Sequence, residues 1–505
     1  MNFVVLPHSL AAVPFRAKLL AGFLFGAIAG LGHSPLSLPL LTVGALVLLM
    51  WLFGTVRGQR QATSLGWVTG SGYFAVTMSW IVNPFLVDAE NQAWMAPFAL
   101  VFLATGLALF WALGFWVAYR VGASSRSRTV ALVFSLTLAE MGRSYLLTGF
   151  PWGLLAYVWV DNWVMQWAAW VGPHGLGVVT FAIAAVAVTG RNAKLGGLTA
   201  LAFLGMVWLV GHVRSEVPEG PKAEQVWVRL VQPNVPQKQK WDQTFVQSFF
   251  EKQLRLTADP SSHPIDLIIW PETSVPFWLE DTPNFQRRIA MAADPKTTVV
   301  IGVVRAEGSR VFNSLAALGP DGSAVMVYDK SHLVPFGEYI PFGDWLDAIG
   351  VHGFAPRTGD GFSAGPAPRI LNFGRAGKVL PLICYEAIFP QLLNQNNERP
   401  DWILQITNDA WFGHISGPQQ HLAQAQMRAV EQGVPFIRVA NTGVSAVINA
   451  NGRIVASLPL ETEGKLDAVI PGAHSPTLYS RTGDWPLLAL MLLGLTATAR
   501  LRRFI

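Results

Sequence analysis

Charge is scarce in this sequence and cysteine is almost absent. Only 13% of its 505 residues are Asp, Glu, Lys or Arg, against 51% hydrophobic, a balance too apolar for an ordinary water-soluble chain. Cys384 is the sole cysteine, which excludes an intramolecular disulfide and any cysteine-rich zinc site. No HExxH occurs, and His414 and His421 lack the spacing of metal ligands, so no metal is expected. No Gly-rich phosphate loop precedes a helix, and there is no internal repeat, heptad pattern or low-complexity tract. The formal net charge of +5 follows from the loop pattern described next, and no nucleic-acid surface is read from it.

Long runs without any charge are what the sequence has instead. Residues 19–56, 61–87, 91–119, 162–190, 195–213 and 485–499 contain no Asp, Glu, Lys or Arg, and most reach the roughly 20 residues that span a hydrocarbon core. Divided at glycine, proline and polar breaks, they predict about eight transmembrane helices, near 17–33, 37–53, 64–82, 93–118, 129–147, 162–189, 195–213 and 484–499. The first could instead be a signal peptide, since Arg16 and Lys18 precede an apolar run ending in Ala27, Ala29 and Gly30. Cations fall in every second loop or terminus: Arg16 and Lys18, Arg57 and Arg60, Arg120 to Arg128, Arg191 and Lys194, then Arg500 to Arg503. By the positive-inside rule both termini face the cytoplasm and the segment after Val213 is translocated. Glu140 and Arg143 are the only ionisable residues well inside a predicted helix. At i, i+3 they read as a structural staple, with a lipid head-group contact as the alternative.

The texture changes at 214. Up to 482 the apolar runs are short and rich in Val and Ile: Val226–Val231, Leu267–Trp270, Thr298–Val304, Ala324–Tyr328, Val379–Ile383, Trp402–Ile406, Phe436–Val439 and Val444–Ile448. Such runs, bounded by turn residues, read as strands buried on both faces, and they alternate with helical stretches at 242–257, 283–293 and 417–432. Residues 1–213 are therefore a helical bundle, 214–482 an α/β domain, and 483–505 a closing transmembrane helix with a cytoplasmic tail.

Three polar residues stand just after predicted strands: Glu272 in WPET, Lys330 in DKSHLVPFGE and Cys384 in ICYE. Strand ends are where active sites assemble in layered α/β domains. A carboxylate can move a proton, an ammonium can favour the thiolate and the oxyanion, and the thiol can act as nucleophile. A lone free thiol outside the cytoplasm is otherwise a liability; its bland alternative is a small buried hydrophobe.

These segments, together with ITNDAWFG (406–413), QAQMRAVEQGVPFIRVANTG (424–443) and the TGFPW turn (148–152), resemble the carbon-nitrogen hydrolase, or nitrilase, superfamily. The resemblance is to its membrane-embedded branch, the bacterial apolipoprotein N-acyltransferases, and it runs through almost the whole chain. It implies an αββα sandwich with a catalytic triad of Glu272, Lys330 and Cys384. It also points to Glu338 to orient Lys330, to Glu386 to hold the nucleophile loop, and to the backbone N–H of Tyr385 for the oxyanion. Trp241 matches a tryptophan near the acyl-chain entrance, or is an interface aromatic. Asn313 and Arg428 read as supports of the fold. The resemblance further implies acyl transfer from a phospholipid, through a Cys384 thioester, to the N-terminal amine of diacylglyceryl-modified apolipoproteins. No cofactor is implied, because the lipid ester is already activated. The apolar stretch 339–354, with Trp345, Leu346, Ile349 and Phe354, reads as a lid dipping into the bilayer or as a loop packed on the domain. A membrane-anchored amidase with the same triad is the rival enzyme. A transporter is disfavoured, because Glu140 and Arg143 are the only intramembrane charges.

Overall fold

The computed structural model describes residues 13–501, apart from 221–223, 282, 342–360 and 397. Two units emerge. One runs to Val217 and includes Ile415–Ala423 and the chain from Thr477 onward; the other comprises Pro218–His414 and Gln424–Pro476. The sequence reading divides the chain at 213/214 and 482/483. The stretch Ile415–Ala423, expected in the α/β domain, groups with the helices, where Gln420 accepts a 2.6 Å hydrogen bond from the Trp152 indole. The lid candidates Trp345, Leu346, Ile349 and Phe354 lie outside the described residues.

The first unit is helical. α1 (Phe15–Gly30), α2 (Pro39–Phe53), α3 (Gln59–Thr77), α4 (Ala96–Val121), α5 (Ser125–Tyr145), α6 (Ala168–Thr189) and α7 (Ala193–Ser215) are joined by a closing helix, Trp485–Leu501. Each predicted helix has a counterpart among the described residues. The third begins five residues early and gives way to a 3₁₀ turn at Ser79–Val82. The sixth is interrupted because Gly172 takes φ +65° ahead of Pro173, which cannot supply a helical N–H. Segments Ala89–Val121, Trp163–Thr189 and Ala193–Ser215 are long and apolar enough to cross a bilayer, and Pro39–Phe53 and Trp485–Leu501 are shorter apolar helices. Because lipid tails give no hydrophobic drive for helix association, close backbone approach matters. A Cβ on Gly26 would overlap the Thr69 carbonyl, and one on Gly72 would overlap that of Phe23, so α1 and α3 meet through glycine.

Buried polar groups tie this unit together. Arg143 pairs with Glu140 at 2.6 Å and donates to the carbonyls of Phe150 and Trp152, while the Trp111 indole donates to Glu140 at 2.8 Å. The guanidinium is thus engaged inside the protein and clasps the TGFPW turn to α5. Tyr145 at 2.7 Å and His174 at 3.1 Å both meet the Asp484 carboxylate, linking α5, α6 and the start of the closing helix. Arg143→Met would leave Glu140 buried without its countercharge and is expected to destabilise the helical unit by about 3–5 kcal/mol. Thermal melting in detergent, with the Glu140→Gln/Arg143→Met double variant recovering part of the loss, checks this.

The second unit is a sandwich of two six-stranded sheets. β1 (Trp227–Gln232), β2 (Leu267–Ile269), β3 (Thr298–Glu307), β4 (Arg310–Leu318) and β5 (Ala324–Asp329) form the first, with β12 (Gly464–Val469) on its edge, in the order β12-β1-β2-β3-β4-β5. β6 (Leu371–Asn372), β7 (Lys378–Ile383), β8 (Trp402–Thr407), β9 (Phe436–Ala440), β10 (Ser445–Ile448) and β11 (Ile454–Leu458) form the second, in the order β11-β10-β9-β8-β7-β6. Both repeat one plan: three parallel strands flanked by antiparallel ones. α8 (Gln243–Ala258) and α9 (Pro283–Met291) cover the first sheet, where Phe250 and Ile289 pack on Trp270, Val299 and Ile301. α10 (Gly417–Gln432) connects β8 to β9. The fold is the one the sequence predicts, a helical bundle plus an α/β sandwich.

Candidate active site

Glu272 is the third residue after β2, Lys330 follows β5 directly, and Cys384 follows β7 directly. All three side chains are nearly buried, at 6%, 1% and 6% exposure. The turn carrying Glu272 is tight, with Thr273 at φ +44°. Gly302 on β3 makes room for it, because a Cβ there would overlap the Pro271 carbonyl, and the Gly302 carbonyl accepts the Ser274 N–H at 2.9 Å. Gly302→Ala is expected to cost about 1–3 kcal/mol through overpacking, with loss of activity from a displaced Glu272. Parallel melting and acylation assays check it.

The carboxylate of Glu272 is fixed at both oxygens. One accepts Asn313 Nδ2 at 2.8 Å and faces Lys330 Nζ at 3.5 Å; the other accepts the backbone N–H of Asn408 at 2.8 Å. Asn313 also donates to Glu338 at 3.0 Å, and Lys330 Nζ meets the same Glu338 oxygen at 2.9 Å. The other Glu338 oxygen accepts the Val334 N–H at 2.8 Å. Lys330 is thus clamped between two carboxylates. Burial alone would lower its pKa, but Glu338 and Glu272, aided by Cys384, hold it above the ordinary lysine range, so it stays cationic.

Cys384 takes φ +50° at the start of a 3₁₀ turn, Cys384–Ile388. A non-glycine residue in this region is strained and is kept only where its surroundings over-determine it. Those surroundings are visible. Gln405 donates to the Cys384 carbonyl at 2.9 Å and accepts from Arg438 at 2.6 Å, Arg438 pairs with Asp409, and Thr407 bonds both Asp409 and the thiol. Glu386 does the rest: it accepts Tyr328 Oη at 2.8 Å, Ser331 Oγ at 2.6 Å, and the N–H groups of Ser331, His332 and Ile383. One buried carboxylate therefore joins the loop after Lys330 to the turn bearing Cys384. Its acid strength is reduced by burial, against the pull of those donors.

Opposing influences act on the thiol. Lys330 was expected to promote its ionisation, and it does pull in that direction. Burial, followed by the charge of Glu272, outweighs it and pushes the thiol above the ordinary range. At neutral pH Cys384 is therefore protonated, and a thiol so held can act as a nucleophile only where a base accepts its proton.

The other residues singled out from sequence are distributed as follows. Tyr385 is buried, its ring edge-on to Phe389 at 5.0 Å. Trp241 is half exposed and lines a cleft with Phe249, Phe250, Pro276 and Glu272. Arg428 is fully buried on α10, bonding Glu431 at 2.7 Å and the Ile388 carbonyl at the end of the Cys384–Ile388 turn. It supports the turn from behind and makes none of the Glu272 or Lys330 contacts described above. Asn313, read from sequence as fold support, bonds both carboxylates directly. Missed altogether were Lys240, Asn408 and the Gln405–Arg438–Asp409 chain. ITNDAWFG was a visible segment, but nothing in it announces that a backbone N–H would be the functional group. Among the described residues no group of His, Cys, Asp or Glu is arranged to hold a metal.

Two stacked sheets with an acid, a lysine and a thiol at strand ends define a carbon-nitrogen hydrolase domain, and the carbon-nitrogen hydrolase family model matches residues 228–474. Residues 25–188 match the apolipoprotein N-acyltransferase N-terminal domain. Apolipoprotein N-acyltransferases from Rhodopseudomonas palustris and Brucella suis are each 38% identical to this chain, covering 94% and 95% of it and the same shares of their own lengths. That from Bradyrhizobium diazoefficiens is also 38% identical, over 96% of this chain and 95% of its own. The chain belongs to the apolipoprotein N-acyltransferases, and it is a membrane protein.

Proposed function

We propose that the chain transfers a fatty acyl group from a phospholipid to the N-terminal amine of diacylglyceryl-cysteine on apolipoproteins, with Glu272, Lys330 and Cys384 as its catalytic residues. The observation that carries this reading is the Glu272 carboxylate, fixed by Asn313 and Asn408 beside a thiol that does not ionise unaided. In the first step the Cys384 sulphur bonds to the ester carbonyl carbon as its proton passes to Glu272. The tetrahedral oxyanion collapses, the lysophospholipid alkoxide leaves with that proton, and a thioester remains. In the second step the acceptor amine attacks the thioester, Glu272 takes the amine proton, and the sulphur departs and recovers it. The permanent charge of Lys330 and the backbone N–H of Tyr385 stabilise the oxyanion in both steps.

The lipid ester supplies the activation, so the scheme requires no cofactor. Incubation of the full-length protein with phospholipid, followed by intact-mass analysis, should reveal one acyl group on Cys384 together with released lysophospholipid. Ammonia release from small amides without lysophospholipid would overturn the reading in favour of an amidase.

The cation pattern supports cytoplasmic termini and a catalytic domain, residues 214–482, on the outer face of the bacterial inner membrane. A reporter that functions only in the cytoplasm is expected to be silent when fused near Ser309, whereas one that requires export should be active.

A further inference from the structure

The segment after β1 holds a lysine for which the acid, lysine and thiol scheme has no use. Lys240 ends the short turn Gln237–Gln239 and is 8% exposed, whereas Lys238, two residues earlier, is exposed. Burying an ammonium is costly unless it is paired. Lys240 Nζ donates to Thr273 Oγ1 at 2.6 Å and to the main-chain carbonyl of Glu272 at 3.3 Å. It therefore grips the left-handed turn that presents Glu272. Gln237, in the same turn, accepts from Asn408 at 2.7 Å, so this segment also braces the residue whose N–H holds the Glu272 carboxylate.

Among the described residues Lys240 is the one cation lining the cleft that Glu272 also lines, and an ammonium has a third donor beyond the two in use. The charge of Glu272 acts on it, as does that of Cys384 when the thiol is ionised. Burial lowers it to about 8 while those two neighbours work in the opposite direction.

A charge count shows what it could supply. Glu272 and Glu338 bring two negative charges and Lys330 one positive. When the sulphur attacks, Glu272 is neutralised by the thiol proton and a carbonyl oxygen becomes an oxyanion, so a net negative charge persists throughout. A buried charge left unbalanced is expensive.

We propose that Lys240 is a second cation of the acyl-transfer centre, holding the Glu272 turn through Thr273 and lowering the energy of the anion formed at Cys384. This rests on the assignment of Glu272 and Cys384 as base and nucleophile. The test uses full-length Lys240→Met and Lys240→Arg proteins with vesicles of phosphatidylethanolamine and phosphatidylglycerol. The acyl adduct on Cys384 is followed by mass, and alkylation of Cys384 by anionic iodoacetate is compared with alkylation by neutral iodoacetamide.

Lys240→Met is expected to slow adduct formation roughly 10²-fold at saturating lipid and to lower the iodoacetate-to-iodoacetamide rate ratio by roughly tenfold. Lys240→Arg should restore most of both. A wild-type rate in Lys240→Met, a loss only at sub-saturating lipid, or equal losses in both variants with an unchanged alkylation ratio would each overturn the proposal. Should the methionine variant not fold, Lys240→Gln keeps a donor to Thr273 without charge and reads the same ratio. If the unaltered protein takes no acyl group on Cys384, the triad assignment fails instead, and the alkylation ratio still reports on Lys240.

Discussion

Glu272→Gln is expected to move two readouts of Cys384 in opposite directions. Glutamine keeps the size of the side chain and a carbonyl oxygen to accept from Asn313 or Asn408, but it cannot take a proton at neutral pH. Thioester formation from phospholipid should therefore fall by roughly 10²–10⁴-fold, the usual contribution of a positioned general base. The thiol should nonetheless become more acidic. After burial, the negative charge of Glu272 is the chief influence holding the Cys384 pKa up, and the substitution removes it while leaving the Lys330 cation in place. A thiol whose pKa is lowered from above the ordinary range has a larger thiolate fraction at any pH below its titration. Alkylation by neutral iodoacetamide at pH 7–8 should accordingly accelerate, and its pH profile should shift to lower pH. If thioester still accumulates at the wild-type rate, Glu272 is not the base for the first step. A parallel slowing of alkylation would mean that the substitution had disturbed the site as a whole.

Removal of the thiol has the other large effect. Cys384→Ala should abolish both lysophospholipid release and amine acylation, a loss on the order of 10⁴-fold or more, because no other group can form the acyl intermediate. Cys384→Ser should be almost as damaging. Serine's hydroxyl is far less acidic than a thiol, and this site already pushes its nucleophile toward the protonated form through burial and the Glu272 charge. The alanine variant should still fold, because Gln405 bonds the main-chain carbonyl of residue 384 and Glu386 holds the turn from the next position but one. Mass analysis and lysophospholipid quantitation in membranes give the measurement, with melting temperature as the control. Wild-type turnover in Cys384→Ala would end the nucleophile assignment.

Much of the fold was legible in the sequence, and the reason differs between the two units. In the helical unit, charge-free runs placed seven of the eight predicted helices, because exclusion of charge from hydrocarbon acts residue by residue; the remaining one, Ser125–Tyr145, carries Glu140 and Arg143. In the α/β unit the predicted strands correspond to β1–β3, β5 and β7–β10. β4 was missed because Asn313 and Ser314 break its apolar run; in the structure Asn313 reaches Glu272 and Glu338 while Ser314 bonds Asp329. The polar break that concealed the strand is therefore a component of the site. The short β6 and the edge strands β11 and β12 were missed too, since β11 and β12 are only partly buried and so lack a continuous apolar signature.

By itself the sequence determined that this is a membrane protein with an α/β domain, and that a carboxylate, a lysine and a thiol each stand at the end of a strand. Those are local properties, carried by runs of neighbouring residues. Tertiary structure decided the chemistry of the group. Through-space neighbours separated by tens to well over a hundred residues in the chain make Asn408 a donor to Glu272, place Lys240 beneath the same turn and let one Glu386 carboxylate span two loops. Burial and the Glu272 charge together outweigh the pull of Lys330 on the Cys384 thiol. Desolvation and Coulomb interactions depend on what surrounds a group in space, and only folding creates those surroundings.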